Sequence, residues 1–357
     1  MSESARLTRK RAREQEDSTA NDDSPLRKRS DSAALDDVAR DRPAYKKDEE
    51  FWFGDGTVIL IARDVEFRVY SGVLATHSPI FRDKFCEDNP IRNVSINGKS
   101  DVPCPVVMLT DSPEDLRHIL RAYMLPSDTS MFISKQPSFA MISAFIRLGK
   151  KYQFISLYEQ SLDFLKGFYP NRLEAWRKLT DWVPTGWDLS ESIGVVNLAR
   201  LSGELSLLPT AFLSCLILTS IVHGFTREDG SPENLSLEDL NICFNAKTEI
   251  RKASIKVLYT TLAARTTPEC KTQTACRRAF RTALSSLRAC IDDLMDTDPF
   301  LPYTSYVKDG KLGVCSACRV ATNEKCWNGR LALWNRLPTI IGIDVPGWGE
   351  PVAAAAG

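Results

Sequence analysis

The chain is poor in histidine and carries no excess of charge. His77, His118 and His223 are its only three histidines, and 46 Lys and Arg balance 46 Asp and Glu over 357 residues. No two histidines fall at the H-x-x-x-H or H-E-x-x-H spacing that brings two ligands onto one helical face, which argues against a metallohydrolase and leaves each histidine a structural role. A balanced total also removes the simplest electrostatic case for a nucleic-acid binder, which needs a basic domain or stripe. No direct nucleic-acid binding is expected. Long apolar runs are missing as well: the strongest, residues 211–222, falls short of the roughly 20 residues that cross a bilayer. It reads as a buried core helix, and no membrane association is expected. No charged-then-apolar leader opens the sequence, and ten cysteines scattered from Cys86 to Cys326 do not resemble a secreted disulfide framework. The expected compartment is reducing, nucleus or cytoplasm.

Catalytic motifs are equally scarce. Gly54-Asp55-Gly56 opens a strand rather than a helix and lacks the following Gly and Lys of a phosphate cradle. There is no G-x-S-x-G elbow. The acid pairs Glu114-Asp115 and Asp292-Asp293 are sequence neighbours, so on a helix they diverge by about 100° and cannot flank one substrate bond. No catalytic residue and no cofactor is expected, and the chain reads as a non-enzyme.

What is present is strongly organised. Residues 1–47 alternate blocks of charge with Ser and Asp and hold almost no large apolar residue, so burial cannot offset their ordering entropy and disorder is expected. Two basic clusters lie within, Arg9-Lys10-Arg11 with Arg13, and Arg27-Lys28-Arg29. They read either as a nuclear-import signal or as solvated charge.

Order is expected from Phe51-Trp52-Phe53. Val58 to Ala62 predicts a buried strand, and the alternation of residues 66–70 predicts its hairpin partner. Helical spacing follows in two short pieces that divide at Ser78-Pro79, and then a loop leads to a third strand at residues 106–109. Asp111-Ser112-Pro113-Glu114-Asp115 combines a capping oxygen, an early Pro and first-turn acids, and so predicts a helix start. Further helices are expected to Tyr152 and to Tyr169, with an almost wholly helical pattern on to about Cys290.

Specific residues give this order a family likeness. Phe67-Arg68-Val69-Tyr70-Ser71-Gly72-Val73-Leu74-Ala75 followed by Ser78-Pro79-Ile80-Phe81, then Leu116 to Tyr123, then Gly149-Lys150-Lys151-Tyr152-Gln153 with Leu157, resemble three successive segments of a BTB/POZ domain. The stretches Phe51-Trp52-Phe53, residues 111–118 and Trp334-Asn335-Arg336-Leu337-Pro338 are similar to the BTB-domain proteins of mushroom-forming (basidiomycete) fungi. The resemblance implies a protein-interaction module that self-associates as a homodimer and docks partners, a cullin-type scaffold among them; the alternative function is a substrate adaptor of a cullin-type ubiquitin ligase. It also implies interaction candidates Asp55, Tyr70, Val73, Leu74 and Phe81, the helical spacing of the apolar three favouring core over contact surface. Two departures touch the family's charged dimer contact: Tyr70 stands where His is usual, and Asp55 lies further from the first strand than the usual acid.

A competing signal is Cys315-Ser316-Ala317-Cys318 with Cys326, since a C-x-x-C knuckle sets two thiolates for tetrahedral zinc. The remaining ligands would come from Cys326 and a distant Cys290, Cys276 or Cys270. With that set incomplete, no metal site is assigned, and a zinc-binding or enzymatic C-terminal module stays an alternative. Trp176, Trp182, Trp187, Trp327, Trp334 and Trp348 read as core anchors or as partner-facing aromatics. The expected fold class is α+β: a tail at 1–47, a BTB/POZ-like domain at 48–170 built on a three-stranded sheet with helices, a mostly helical domain at 171–347, and a flexible tail at 348–357.

Overall fold

The computed structural model describes residues 45–96, 100–125, 136–263, 266–296 and 298–350. The basic clusters Arg9, Lys10, Arg11, Arg13 and Arg27, Lys28, Arg29 lie outside these residues. Helices and a small mixed sheet make up the fold. Strands β1 (Lys46–Trp52), β2 (Val58–Ala62) and β3 (Val65–Val69) lead into helices α1 (Ser71–His77) and α2 (Pro79–Cys86). Strands β4 (Ile91–Ile96) and β5 (Ser100–Leu109) follow, and then α3 (Pro113–Met124), α4 (Phe139–Tyr152) and α5 (Ile155–Phe168).

The sheet has five strands in the order β1-β3-β2-β5-β4, not three. The two extra strands are the two edges, and both escape a periodicity reading for a physical reason. β1, Lys-Lys-Asp-Glu-Glu-Phe-Trp, has no apolar alternation; it pairs with β3 through its backbone, across a register shift, and leaves Lys46, Lys47, Glu49 and Glu50 exposed. Its buried Asp48 accepts from the backbone N–H groups of Glu50 and Phe51 and from Arg117. β4 falls where the Pro- and Asn-containing stretch predicts a loop, and pairs antiparallel with β5.

One face of the sheet, with Leu60, Phe67, Val69 and Val107, packs on Leu74, Phe81, Leu116, Ile119, Leu120 and Phe145 of the helices. Ser78 joins the first helix pair to the end of α4. Its Oγ donates to the Tyr152 carbonyl at 2.5 Å and accepts from the Phe81 N–H at 3.0 Å as the cap of α2. Gln153, in the left-handed region at φ 58°, closes α4 there.

The helical remainder comprises α6 (Leu173–Trp176), α7 (Ser192–Ser202), α8 (Leu208–Cys215), α9 (Leu237–Leu262), α10 (Gln273–Ser286), α11 (Ile291–Asp296), α12 (Ser316–Asn335) and α13 (Leu337–Ile341), with short 3-10 turns between. A small hairpin of β6 (Phe225–Thr226) and β7 (Pro232–Glu233) interrupts it. Its strands are too short to show a period.

The largest core does not respect the expected division at 170/171. Phe139, Ile142, Ile146, Leu165 and Tyr169 pack in one cluster with Trp176, Trp187, Val195, Phe212, Ile250 and Trp334. Gly194 permits the approach of α4 to α7, because a Cβ there would meet the Phe139 ring at 2.1 Å. The described residues from Tyr45 onward accordingly form one compact unit. Within the stretch expected as a flexible tail at 348–357, Trp348 stacks on Trp334 with ring centroids 5.2 Å apart, and the Gly349 N–H donates to the Asn171 carbonyl, so these two residues are packed. Among the described residues no helix is long and apolar enough to cross a membrane.

Candidate metal centre and interaction face

The interaction candidates separate into surface and core. Leu74 and Phe81 are fully buried, which removes them as contact residues. α1 and α2 are each about two turns long, and these are their buried side chains, with Ile80 and Phe85 of α2 packed partly buried against the same core. Val73 is half-buried and Asp55 is exposed. The Tyr70 hydroxyl donates to Asp55 Oδ1 at 2.7 Å, and its ring stacks on Phe53. The hydrogen bond to Asp55 raises the Tyr70 pKa above its ordinary value. These two residues therefore satisfy each other within one chain.

Each described histidine has a local role or an open position. His77 stacks on Tyr123, His118 Nε2 lies 2.8 Å from Glu228, and His223 is exposed in a 3-10 turn. The tryptophans are largely core: Trp334 is fully buried and meets Trp176, Phe300 and Trp348.

The cysteines give the tightest chemical constellation. Cys270, Cys276, Cys315 and Cys318 place their four sulfurs all within 4.8 Å of one another. Cys270 lies in the loop after α9, and Cys276 in the first turn of α10. Cys315 caps α12, and Cys318 is in that helix's first turn. The Sγ atoms of Cys315 and Cys270 stand 3.7 Å apart, beyond covalent distance.

Hydrogen bonds are aimed at the sulfurs. The Cys315 N–H donates to Cys276 Sγ at 3.3 Å, and Thr272 Oγ1 lies at the same distance from that sulfur. The Cys318 N–H on the Cys315 sulfur is the main cause that lowers the Cys315 thiol to about 7. Cys276 is lowered chiefly by Thr272, whereas burial pushes Cys270 up to about 12.

The structure corrects the ligand candidates. Cys326 is buried two turns further along α12 and is not in the group, and Cys290 lies outside it too. The C-x-x-C pair is joined by Cys270 and Cys276, a C-x5-C pair 39 residues upstream of Cys315 as measured from Cys276. Its wide internal spacing is a weak sequence signal, because only the return of α12 to the start of α10 brings the two pairs together. Comparison of the chain with protein-family models finds no match, and comparison with curated protein sequences finds none either.

Proposed function

We propose that this chain is a non-enzymatic protein-interaction protein of the nucleus or cytoplasm, and that its first half, which resembles a BTB/POZ domain, mediates self-association and partner docking. The observation that carries this reading is the free edge of the sheet at β4. Among the described residues that strand pairs on one side only, and its register with β5 ends at Ile91 opposite Pro105, so the outer side of residues 107–109 has no strand partner among them either. Ile91 and Met108, 68% and 58% exposed, stand at this edge. An open strand with exposed apolar residues invites pairing with another chain. The contact between Ser78 and Tyr152 adds support, since it joins two of the segments that carry the resemblance.

Sedimentation of the full chain across a concentration series tests the proposal. A dimer at micromolar concentration, of the standard interface size of roughly 1,600 Å², is expected. Ile91→Lys should shift it to monomer with the far-UV circular dichroism of the folded chain unchanged, because in the single chain the side chain is already exposed. Monomer at every concentration would overturn self-association.

A further inference from the structure

We propose that Cys270, Cys276, Cys315 and Cys318 hold one zinc ion in a closed four-thiolate site that fastens the loop between α9 and α10 to the start of α12. Tetrahedral zinc with Zn–S bonds of about 2.3 Å sets its sulfurs about 3.8 Å apart. Sulfurs already within 4.8 Å of one another, one pair at 3.7 Å, need only a small contraction to reach that geometry. Four soft ligands with no carboxylate or imidazole among them select zinc over calcium or magnesium. All four tetrahedral positions are filled by protein, so the site is structural and offers no open position for catalysis.

The surroundings are those of a ligand set rather than of packed thiols. A lone buried cysteine behaves as a small apolar filler, and Cys326 does so here, close by in the same core. In the four-sulfur group, by contrast, the backbone N–H groups of Cys315 and Cys318 and the Thr272 hydroxyl lie against the sulfurs, as hydrogen-bond donors do around metal-bound thiolates. Two helices begin at the site, which puts their positive ends towards the added negative charge. Lys271, Arg277, Arg278 and Arg319, each next to a ligand or two residues away, are exposed and complement the net negative charge of a four-thiolate zinc centre.

The local core explains what the metal does. Between the end of α9 and α12 the chain runs mostly through short helices and irregular segments, over a small cluster centred on Leu262, Phe280, Leu287, Tyr303 and Leu312. So small a core gains little from burial alone, and a structural metal supplies the missing folding energy.

Full-length protein expressed with zinc in the medium, and purified without chelator, should carry about one zinc per chain by elemental analysis. Cys270→Ser and Cys315→Ser should each reduce bound zinc to background, whereas Cys326→Ser should leave it unchanged. A measurement on the unsubstituted chain keeps the test decisive if a variant does not fold. A thiol-specific mercurial should release one zinc per chain, and cobalt exchange should give the absorption of a tetrahedral thiolate centre. Folded, zinc-free protein whose four thiols react freely would overturn the proposal. So would a mass lowered by the hydrogens lost to disulfides, or full zinc retention in both ligand variants.

Discussion

Arg227 Nη2 donates to both carboxylate oxygens of Asp115, at 2.9 and 2.7 Å, across 112 positions of sequence. The pair is one rung of a clasp. From the same β6–β7 hairpin, Glu228 meets His118, Asp229 meets Arg63, and Glu233 meets Arg147 at 2.6 Å. Every rung joins this short hairpin to the half of the chain that carries the sheet. Gly224 allows the hairpin to form: at φ 62° a Cβ would lie 2.1 Å from the Glu233 carbonyl.

The clasp should be worth most where water is excluded. Burial raises the Asp115 carboxyl, and Arg227 opposes that shift. Arg227→Ala strands a largely buried carboxylate, so a loss of about 2–4 kcal/mol in unfolding free energy is expected. Asp115→Ala should cost less, because Arg227 keeps Glu233 within 3.5 Å. A urea-unfolding double-mutant cycle reads the coupling, expected at roughly 1–3 kcal/mol. Additive single effects would show that the two residues act separately.

Acid should open the same clasp through Asp229. Its burial opposes ionisation, but the Ser231 hydroxyl and N–H and the Arg63 guanidinium outweigh it and bring the carboxyl from 3.8 to about 2. A carboxyl held low in the folded state binds fewer protons than in the unfolded chain. Its stabilisation is therefore complete above about pH 4 and lost as pH falls towards about 2. Asp229→Asn should lower stability at neutral pH and flatten the decline between those values. Chemical unfolding at stepped pH measures it; an unchanged slope in the variant would exclude Asp229 from the acid response.

Which parts of this arrangement are legible in the sequence follows from where the information is local. β2, β3 and α1 to α5 announce themselves through apolar periodicity, Ser caps and early prolines, and the structure places them as that reading expects. β1 and β4 are edge strands, held by backbone pairing rather than by a buried stripe, so no side-chain period marks them. Leu74 and Phe81 carry the right chemistry for a contact surface as well as for the core their spacing favours, and the sheet packed beneath them shows that they face inward. The metal candidate was half legible. Cys315 and Cys318 form a recognisable local pair, whereas Cys270 and Cys276 depend on a tertiary return that no short-range pattern encodes.

The same dependence on distant packing governs the C-terminal end. Trp348 covers Trp334, and its Nε1 donates to the Trp334 carbonyl at 2.9 Å. The Trp334 indole in turn donates to the Asn171 carbonyl at 3.1 Å, which also accepts from the Gly349 N–H. Residues 348 and 349 therefore close one wall of the largest core. A chain ending at residue 350 should melt like the full protein. One ending at 347 uncovers Trp334 and should lose about 2–4 kcal/mol, a fall of roughly 4–8 °C in Tm. Trp348→Phe keeps an aromatic ring on Trp334 but loses the indole donor, and should fall between the two. Calorimetry of the three variants checks the order; equal Tm for the chains ending at 347 and 350 would show that the Trp334 face tolerates exposure to water.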